Sequence, residues 1–291
     1  MSNIVLETKD LSFLYSKGTT SQVAAINDIN VKIERGELVG VIGHTGSGKS
    51  TLIEHFNAIL KPTSGSVFLD GNDIWQDKKN IRSVRFKVGV CFQYPEYQLF
   101  EETVEKDVGF GPKNMGLSAE EISKRVCSAL SFVGLDESYL EKSPFDLSGG
   151  EKRRVAIAGV MAMEPEVLVL DEPCAGLDPR GRDTVLSLIK EYKEKTGSTV
   201  IVVSHSMEDV SRLATKILVM NESRLAYYDT VKNVFSHADE LYSMGLDIPQ
   251  YTRLFLLLKE AGYDINTDIY TFEEAKKELL RLFNGRCRNA Q

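Results

Sequence analysis

The chain has 291 residues, 42% hydrophobic and 26% charged, with a formal net charge of −7 and a pI near 5.3. That length suits one main domain plus an appendage, and the composition is that of a globular protein with a sizeable core. The acidic balance argues against a nucleic-acid binder, which carries a basic face. Residues 1–10 hold no apolar core behind a basic start, so no secretory leader is expected. No apolar run approaches the roughly 20 residues that span a bilayer. Cys91, Cys127, Cys174 and Cys287 are scattered with no Cys-x-x-Cys pair, as reduced structural thiols are.

In chain order, Ile4, Leu6, Leu11, Phe13 and Tyr15 mark one strand. Ile26, Ile29, Val31 and Ile33 mark a second, stopped by Glu34-Arg35-Gly36-Glu37. Residues 38–42 read as a short buried strand that runs into a glycine-rich loop and then a helix over 49–60. Lys61-Pro62-Thr63-Ser64-Gly65 ends that helix. Further strands are expected over 66–69 and 88–92.

From 95 to about 148 helical patterning takes over. Ser118-Ala119-Glu120-Glu121 reads as a capping box ahead of Ile122, Val126, Ala129, Leu130 and Val133. A helix near 151–163, a buried strand at 167–170, a helix over 181–195 and a buried strand at 199–203 follow. Strands alternating with helices imply a mainly parallel sheet with helices on both faces. From about 236 a small helical appendage is expected. Leu254, Leu257 and Leu258 form one apolar helix face, and Thr271 to Glu274 form a second capping box before Ala275, Leu279, Leu282 and Phe283. No long internal repeat is present. The expected division is a main domain over 1–235, with a helical subdomain at about 95–154, and an appendage over 236–291.

Gly43-His44-Thr45-Gly46-Ser47-Gly48-Lys49-Ser50 matches the phosphate-loop pattern G-x-x-x-x-G-K-[ST]. Its glycines let several backbone N–H groups face one anion, and the following helix adds the positive end of its dipole. Lys49 can reach the β- and γ-phosphates, and the Ser50 hydroxyl can hold Mg²⁺. The loop alone defines a nucleotide binder, since GTPases, kinases and many ATPases share it.

Val167-Leu168-Val169-Leu170 ends in Asp171-Glu172. A parallel sheet presents strand C-termini to its ligand. Asp171 can then orient Mg²⁺ through its water shell, and Glu172 can take a proton from attacking water. A solvated acidic turn is the plainer reading of the same residues, and the upstream loop favours the chemical one.

Leu147-Ser148-Gly149-Gly150-Glu151 precedes the basic stretch Lys152-Arg153-Arg154. Ser148 and Glu151 have capping-box spacing, and a hydroxyl and free N–H groups at a helix start also suit an anion. Lying between the two motifs above, this element makes the chain resemble an ATP-binding cassette (ABC) ATPase. The fold implied is α/β: a P-loop ABC ATPase with a RecA-like parallel-sheet core, an N-terminal antiparallel β part, a helical subdomain and a small C-terminal helical domain. The nucleotide set implied is Tyr15, Gly43, His44, Thr45, Gly46, Ser47, Gly48, Lys49, Ser50, Thr51, Gln93, Ser148, Gly149 and Gly150. Ser50, Gln93 and Asp171 serve Mg²⁺; Glu172, His205 and Lys49 serve hydrolysis of ATP. In that resemblance Ser148 and Gly150 bind the γ-phosphate held in a partner's loop, Tyr15 stacks on adenine, and Ala175-Gly176-Leu177-Asp178 couples the two sites. Two positions depart from the common family pattern: Glu151 stands in place of Gln, and Cys174 in place of Thr or Ser.

Residues 92–100, Phe-Gln-Tyr-Pro-Glu-Tyr-Gln-Leu-Phe, and residues 153–159 resemble energy-coupling factor (ECF) transporter ATPases, the cobalt and vitamin uptake group. Residues 43–46 and 246–250 resemble the second of the two ATPase paralogues in such systems. The resemblance implies a heterodimer with the first paralogue, a transmembrane scaffold subunit, and interchangeable substrate-binding membrane subunits. It implies a peripheral place on the cytoplasmic side of the cell membrane, a scaffold groove starting at 95–107, and an appendage that helps hold the ATPases together. Another ABC importer, for cobalt or nickel, is the alternative. An ABC ATPase of ribosomes or DNA carries two cassettes or long coiled coils, which this chain lacks. A P-loop kinase or GTPase leaves residues 147–151 and His205 unexplained, and a non-catalytic module leaves Lys49, Asp171, Glu172 and His205 unexplained.

Overall fold

The structure, a computed structural model, describes residues 3–289, with side chains described as far as residue 283. Two twelve-residue strands open it: β1 (Ile4–Tyr15) and β2 (Val23–Glu34) pair antiparallel. Leu6, Leu11, Ile26, Ile29 and Ile33 point inward and are fully buried, the alternation of a sheet with one covered face. β3 (Leu38–Gly43) is buried at every residue and leads through the glycine loop into α1 (Lys49–Phe56). β4 (Ser64–Leu69) and the short β5 (Asn72–Asp73) extend the first sheet in the order β2-β1-β4-β5. α2 (Ile81–Lys87) then feeds β6 (Val88–Cys91). The helical stretch holds α3 (Val104–Asn114) and α4 (Ala119–Phe132), and α5 (Gly149–Met161) follows it.

β7 (Val167–Asp171), α6 (Pro179–Thr196), β8 (Thr199–Val203), α7 (Met207–Leu213), β9 (Lys216–Asn221) and β10 (Arg224–Thr230) complete a second sheet, ordered β10-β9-β3-β8-β7-β6. Every pairing in it is parallel except β9 with β10. β7 and β8 are buried throughout, because layers cover both faces. One core lies between the sheets around Leu52, Ile53 and Phe56 of α1. Another gathers Val108, Leu130, Val155, Leu168 and Ile189 on the helical side. α8 (Val231–Ser236), α9 (Ala238–Ser243), α10 (Gln250–Glu260) and α11 (Phe272–Asn289) close the chain. Phe255, Ile265, Ile269 and Ala275 form a small core of their own there.

Several local expectations need correction, among them the helix expected to 163, which ends at Met161. The helix expected to 60 stops at Phe56, because Ala58 takes a left-handed φ of 56° and the Asn57 side chain is drawn to the Val88 carbonyl. The strand expected to 92 stops at Cys91. The Ser118 box is half formed: Glu121 N donates to Ser118 Oγ at 3.2 Å, but the Glu121 carboxylate turns to Arg125 at 2.9 Å. The expected face of α10 turns inward only in part: Leu258 packs against the small core beside the buried Thr252 and Phe255, while Leu254 and Leu257 are exposed. Thr252 Oγ1 donates to the Ile269 carbonyl and so fixes which side faces inward. The Thr271–Glu274 box forms in both directions. Phe283 lies outside its core, exposed. The side chain of Cys287 lies outside the described residues.

Candidate functional site

The phosphate loop needs two glycines for reasons visible in its backbone. Gly43 has a φ of 156°, and a Cβ there would stand 2.4 Å from the Met220 carbonyl oxygen and 2.5 Å from Ser47 Oγ. Gly48 has a φ of 103°, and a Cβ would stand 2.4 Å from the Ala25 carbonyl oxygen. No other residue type fits such contacts at such angles. Lys49 opens α1 with its side chain folded back: Nζ donates to the Gly43 and His44 carbonyls at 2.7 and 3.0 Å. Burial lowers its pKa, while Glu172 and Asp171 oppose that. His44 Nδ1 bonds the Thr45 carbonyl, Gly46 takes a φ of 82°, and Ser47 Oγ is buried with no hydrogen-bond partner. The Ser47 hydroxyl is fully buried against Gly43, whereas the Lys49 ammonium, resting on its own loop carbonyls, is a donor that an anion in the loop would draw away.

Tyr15 stands half-exposed at the end of β1. Its hydroxyl lies 3.3 Å from Thr51 Oγ1, and Phe13 meets its ring edge-on at 4.8 Å. The ring therefore has a fixed orientation at the loop's flank, as a base-stacking surface requires.

β7 carries Asp171 to the same sheet edge. Ser50 Oγ donates to Asp171 Oδ2 at 3.4 Å. A serine hydroxyl facing a carboxylate is a hard-oxygen set of the kind Mg²⁺ takes. Burial raises the pKa of Asp171, and Ser50 and Lys49 oppose the rise. Glu172 turns into the left-handed region at φ 50°, held by its N–H donating to the Val203 carbonyl at 3.0 Å. Burial, then the Asp171 charge, push its pKa up to about 7. Its Oε1 is buried without a hydrogen-bond partner, although His205 Nε2 stands 3.4 Å away. Burial and Lys49 lower the pKa of His205. The two groups are close but not aligned as a hydrogen bond.

Gln93 lies exposed in the bend after β6. Sequence reasoning missed Glu54, whose pKa rises through burial and then through Asp171. The signal was available, since Glu54 follows Ser50 by four residues and shares its helix face.

Ser148 caps α5 with the full box expected: Ser148 Oγ accepts from Glu151 N, and Ser148 N donates to Glu151 Oε2 at 2.9 Å. The hydroxyl proton also goes to Glu151 Oε2, at 2.6 Å, and Tyr139 donates to Oε1 at 2.6 Å. These bonds, the Ser148 hydroxyl first, hold the Glu151 carboxyl down at about 2. Ser148, Gly149 and Gly150 are exposed. Among the described residues no hydrogen bond joins them to loop 43–50. The chain therefore brings Lys49, Ser50, Asp171, Glu172 and His205 together and leaves the signature element apart.

Strands β3, β8 and β7 are neighbours, and the glycine loop, His205 and the carboxylates follow their C-terminal ends in that arrangement. The fold and this edge define a P-loop nucleotide-binding cassette of the ABC class. The ABC transporter family profile matches residues 26–175. An energy-coupling factor transporter ATP-binding protein, EcfA2, of Clostridium tetani is 54% identical over 98% of this chain and 99% of its own length. The solved structure of cbiO1 from Clostridium perfringens, part of the ABC transporter complex cbiONQ, is 40% identical, with a TM-score of 0.74 over 87% of this chain and 99% of that one. The dimeric structure of MJ0796, a bacterial ABC transporter cassette, is 28% identical, with a TM-score of 0.70 over 78% of this chain and 98% of that one. The chain belongs to the energy-coupling factor transporter ATP-binding proteins of the ABC family.

Proposed function

We propose that this chain binds and hydrolyses ATP as one of two cassettes that drive an ECF-type importer of vitamins or other micronutrients. One observation carries the reading. Lys49, Ser50, Asp171, Glu172 and His205 converge at one edge of the parallel sheet, while Ser148 and Gly150, the expected γ-phosphate ligands, are exposed and share no hydrogen bond with loop 43–50 among the described residues. A second cassette supplies the missing half of each site, as the dimeric form of MJ0796 suggests by analogy.

Lys49 leaves its own loop carbonyls to neutralise the β- and γ-phosphates. Ser50, Asp171 and Gln93 would hold Mg²⁺, which supplies charge neutralisation at the phosphate oxygens when bound. Glu172 takes the proton of the attacking water, and His205 orients the γ-phosphate side of the pocket. Tyr15 stacks on adenine. Most of the rate effect comes from positioning and charge.

No described helix is long and apolar enough to cross a membrane. In this reading the path for cargo belongs to other subunits: a transmembrane scaffold and interchangeable substrate-binding proteins. A groove of about 350 Å³ between Phe86, Leu99, Phe100, Phe110 and Val160 is the proposed seat of the scaffold's coupling helices. Residues 1–235 form the cassette in this reading. Residues 236–291 pair it with a paralogous ATPase, and the exposed Leu254 and Leu257 support that role. The chain then sits peripherally on the cytoplasmic side of the cell membrane.

The test is purification of the tagged chain from membranes, with identification of what accompanies it. A second ATPase, a membrane scaffold and ATP turnover without any acceptor are expected. Isolation of the chain with ribosomes or nucleic acid, or turnover that needs a phosphate acceptor, would overturn the reading.

A further inference from the structure

Arg153, on α5, is 3% exposed. Its Nε and Nη2 donate to the two Glu96 carboxylate oxygens at 3.1 and 2.8 Å, a bidentate fork. Its Nη1 donates to the Ala175 carbonyl at 2.5 Å and the Pro173 carbonyl at 3.4 Å. The ring of Tyr94 lies 5.9 Å from the guanidinium carbon. One cation is thus bonded at once to the turn Pro95–Gln98 and to the loop that begins with Pro173.

Each of these segments has a functional neighbour. Gln98, Leu99 and Phe100 line the groove, and Ala156 and Gly159, one to two turns along α5 from Arg153, line its other wall. Pro173 directly follows Glu172. A buried ion pair adds little stability over an apolar filling of the same volume. An apolar filling, however, has no direction, whereas a guanidinium with fixed donors holds its acceptors in register. If the turn carrying Glu96 shifts, Arg153 must follow it or be left as a buried cation without its carboxylate, which is costly. Either response disturbs the carbonyls behind Glu172.

We propose that Arg153 is a positioning residue: through Glu96 it makes the setting of the Glu172 loop depend on what occupies the groove. The inference rests on the reading of that groove as the scaffold's seat.

The test uses the complex of this chain with its ATPase partner and membrane scaffold, and the ATPase pair without scaffold. The variants are Glu96→Gln, which keeps shape and loses charge, Arg153→Lys, which keeps charge and loses the fork, and their double. The ratio of ATP turnover with scaffold to turnover without it should fall by about ten-fold in each single variant. The KM for ATP should stay within about two-fold, and the double should be no worse than the worse single, as for residues acting as a unit. Should Arg153→Lys fail to fold, Glu96→Gln carries the test alone. A ratio unchanged in the variants overturns the proposal, whether turnover is normal or falls equally in both states. A double whose loss is the product of the singles does the same. A wild-type ratio of one instead overturns the reading of the groove, and this proposal with it.

Discussion

At neutral pH Glu172 stands midway between carboxylate and acid, since burial and Asp171 bring it to about 7. As the proposed base, it should be replaceable by Gln with ATP binding retained and turnover lowered about 10²–10⁴-fold, read from binding and steady-state assays of the assembled complex. The same shift has a stability signature. Its folded pKa lies above the unfolded value of 4.5, so its contribution is full below pH 4.5 and lost as pH rises through about 7. Without nucleotide and with EDTA, Glu172→Gln should raise the melting temperature at pH 8. The gain corresponds to on the order of 1 kcal/mol after screening, and should shrink by pH 5. Glu151 makes a second residue-scale case. The single hydroxyl proton of Ser148 is committed to its carboxylate. Glu151→Gln removes a negative charge where phosphate would dock, and should lower the KM for ATP by roughly two- to five-fold. An increase would show that the carboxylate assists closure.

Among elements, the joint between the two sheets depends on an ion-pair ring. Arg35, before β3, reaches Asp70 and Glu166, and Lys87, at the end of α2, reaches the same two carboxylates at 3.3 and 2.8 Å. Burial pushes Glu166 up, yet Lys87 and Arg35 leave it below its ordinary value. The groups are partly exposed, so Glu166→Gln should cost about 1 kcal/mol or less, read as a lower urea midpoint, with the difference narrowing in high salt. Elements of this kind were unevenly legible. β3, β7 and β8 announce themselves as unbroken apolar runs, because both their faces are covered. β9 holds a similar run, Ile217-Leu218-Val219-Met220, which a stricter search for runs would catch. β10 is an edge strand with mixed burial and carries little such signal. The face of α10 was legible at Leu258, which packs on the small core, but not at Leu254 and Leu257, because the buried hydrogen bond of Thr252 sets which side faces inward.

For the whole molecule the question is which exposed apolar surface awaits a partner. Tyr97 is 84% exposed, and Phe100, 57% exposed, meets Phe110 edge-on at 5.0 Å on the groove wall. Phe100→Asp should weaken scaffold association at least about thirty-fold, the scale of one interface hot spot, and leave ATP affinity within about two-fold. Lost ATP affinity with intact scaffold binding would count against the groove. Ser148, Gly149 and Gly150 are exposed and share no hydrogen bond with loop 43–50 among the described residues, and in the proposed reading a second cassette facing the first completes the site.

By itself the sequence determined the phosphate-loop chemistry, the acidic strand end, the signature cap and their order. Each depends on a few adjacent residues whose backbone geometry is local: glycines that permit a curl, a serine three residues before a glutamate. Only the tertiary structure decided the rest. The proton affinity of Glu172 comes from burial and a charge on its neighbour, and the pairing of Ser50 with Asp171 spans 121 residues. The link from Glu96 through Arg153 to Ala175 joins positions 57 and 22 residues apart. Such contacts depend on which layers meet, and layer packing is fixed by the whole set of buried faces rather than by any one segment.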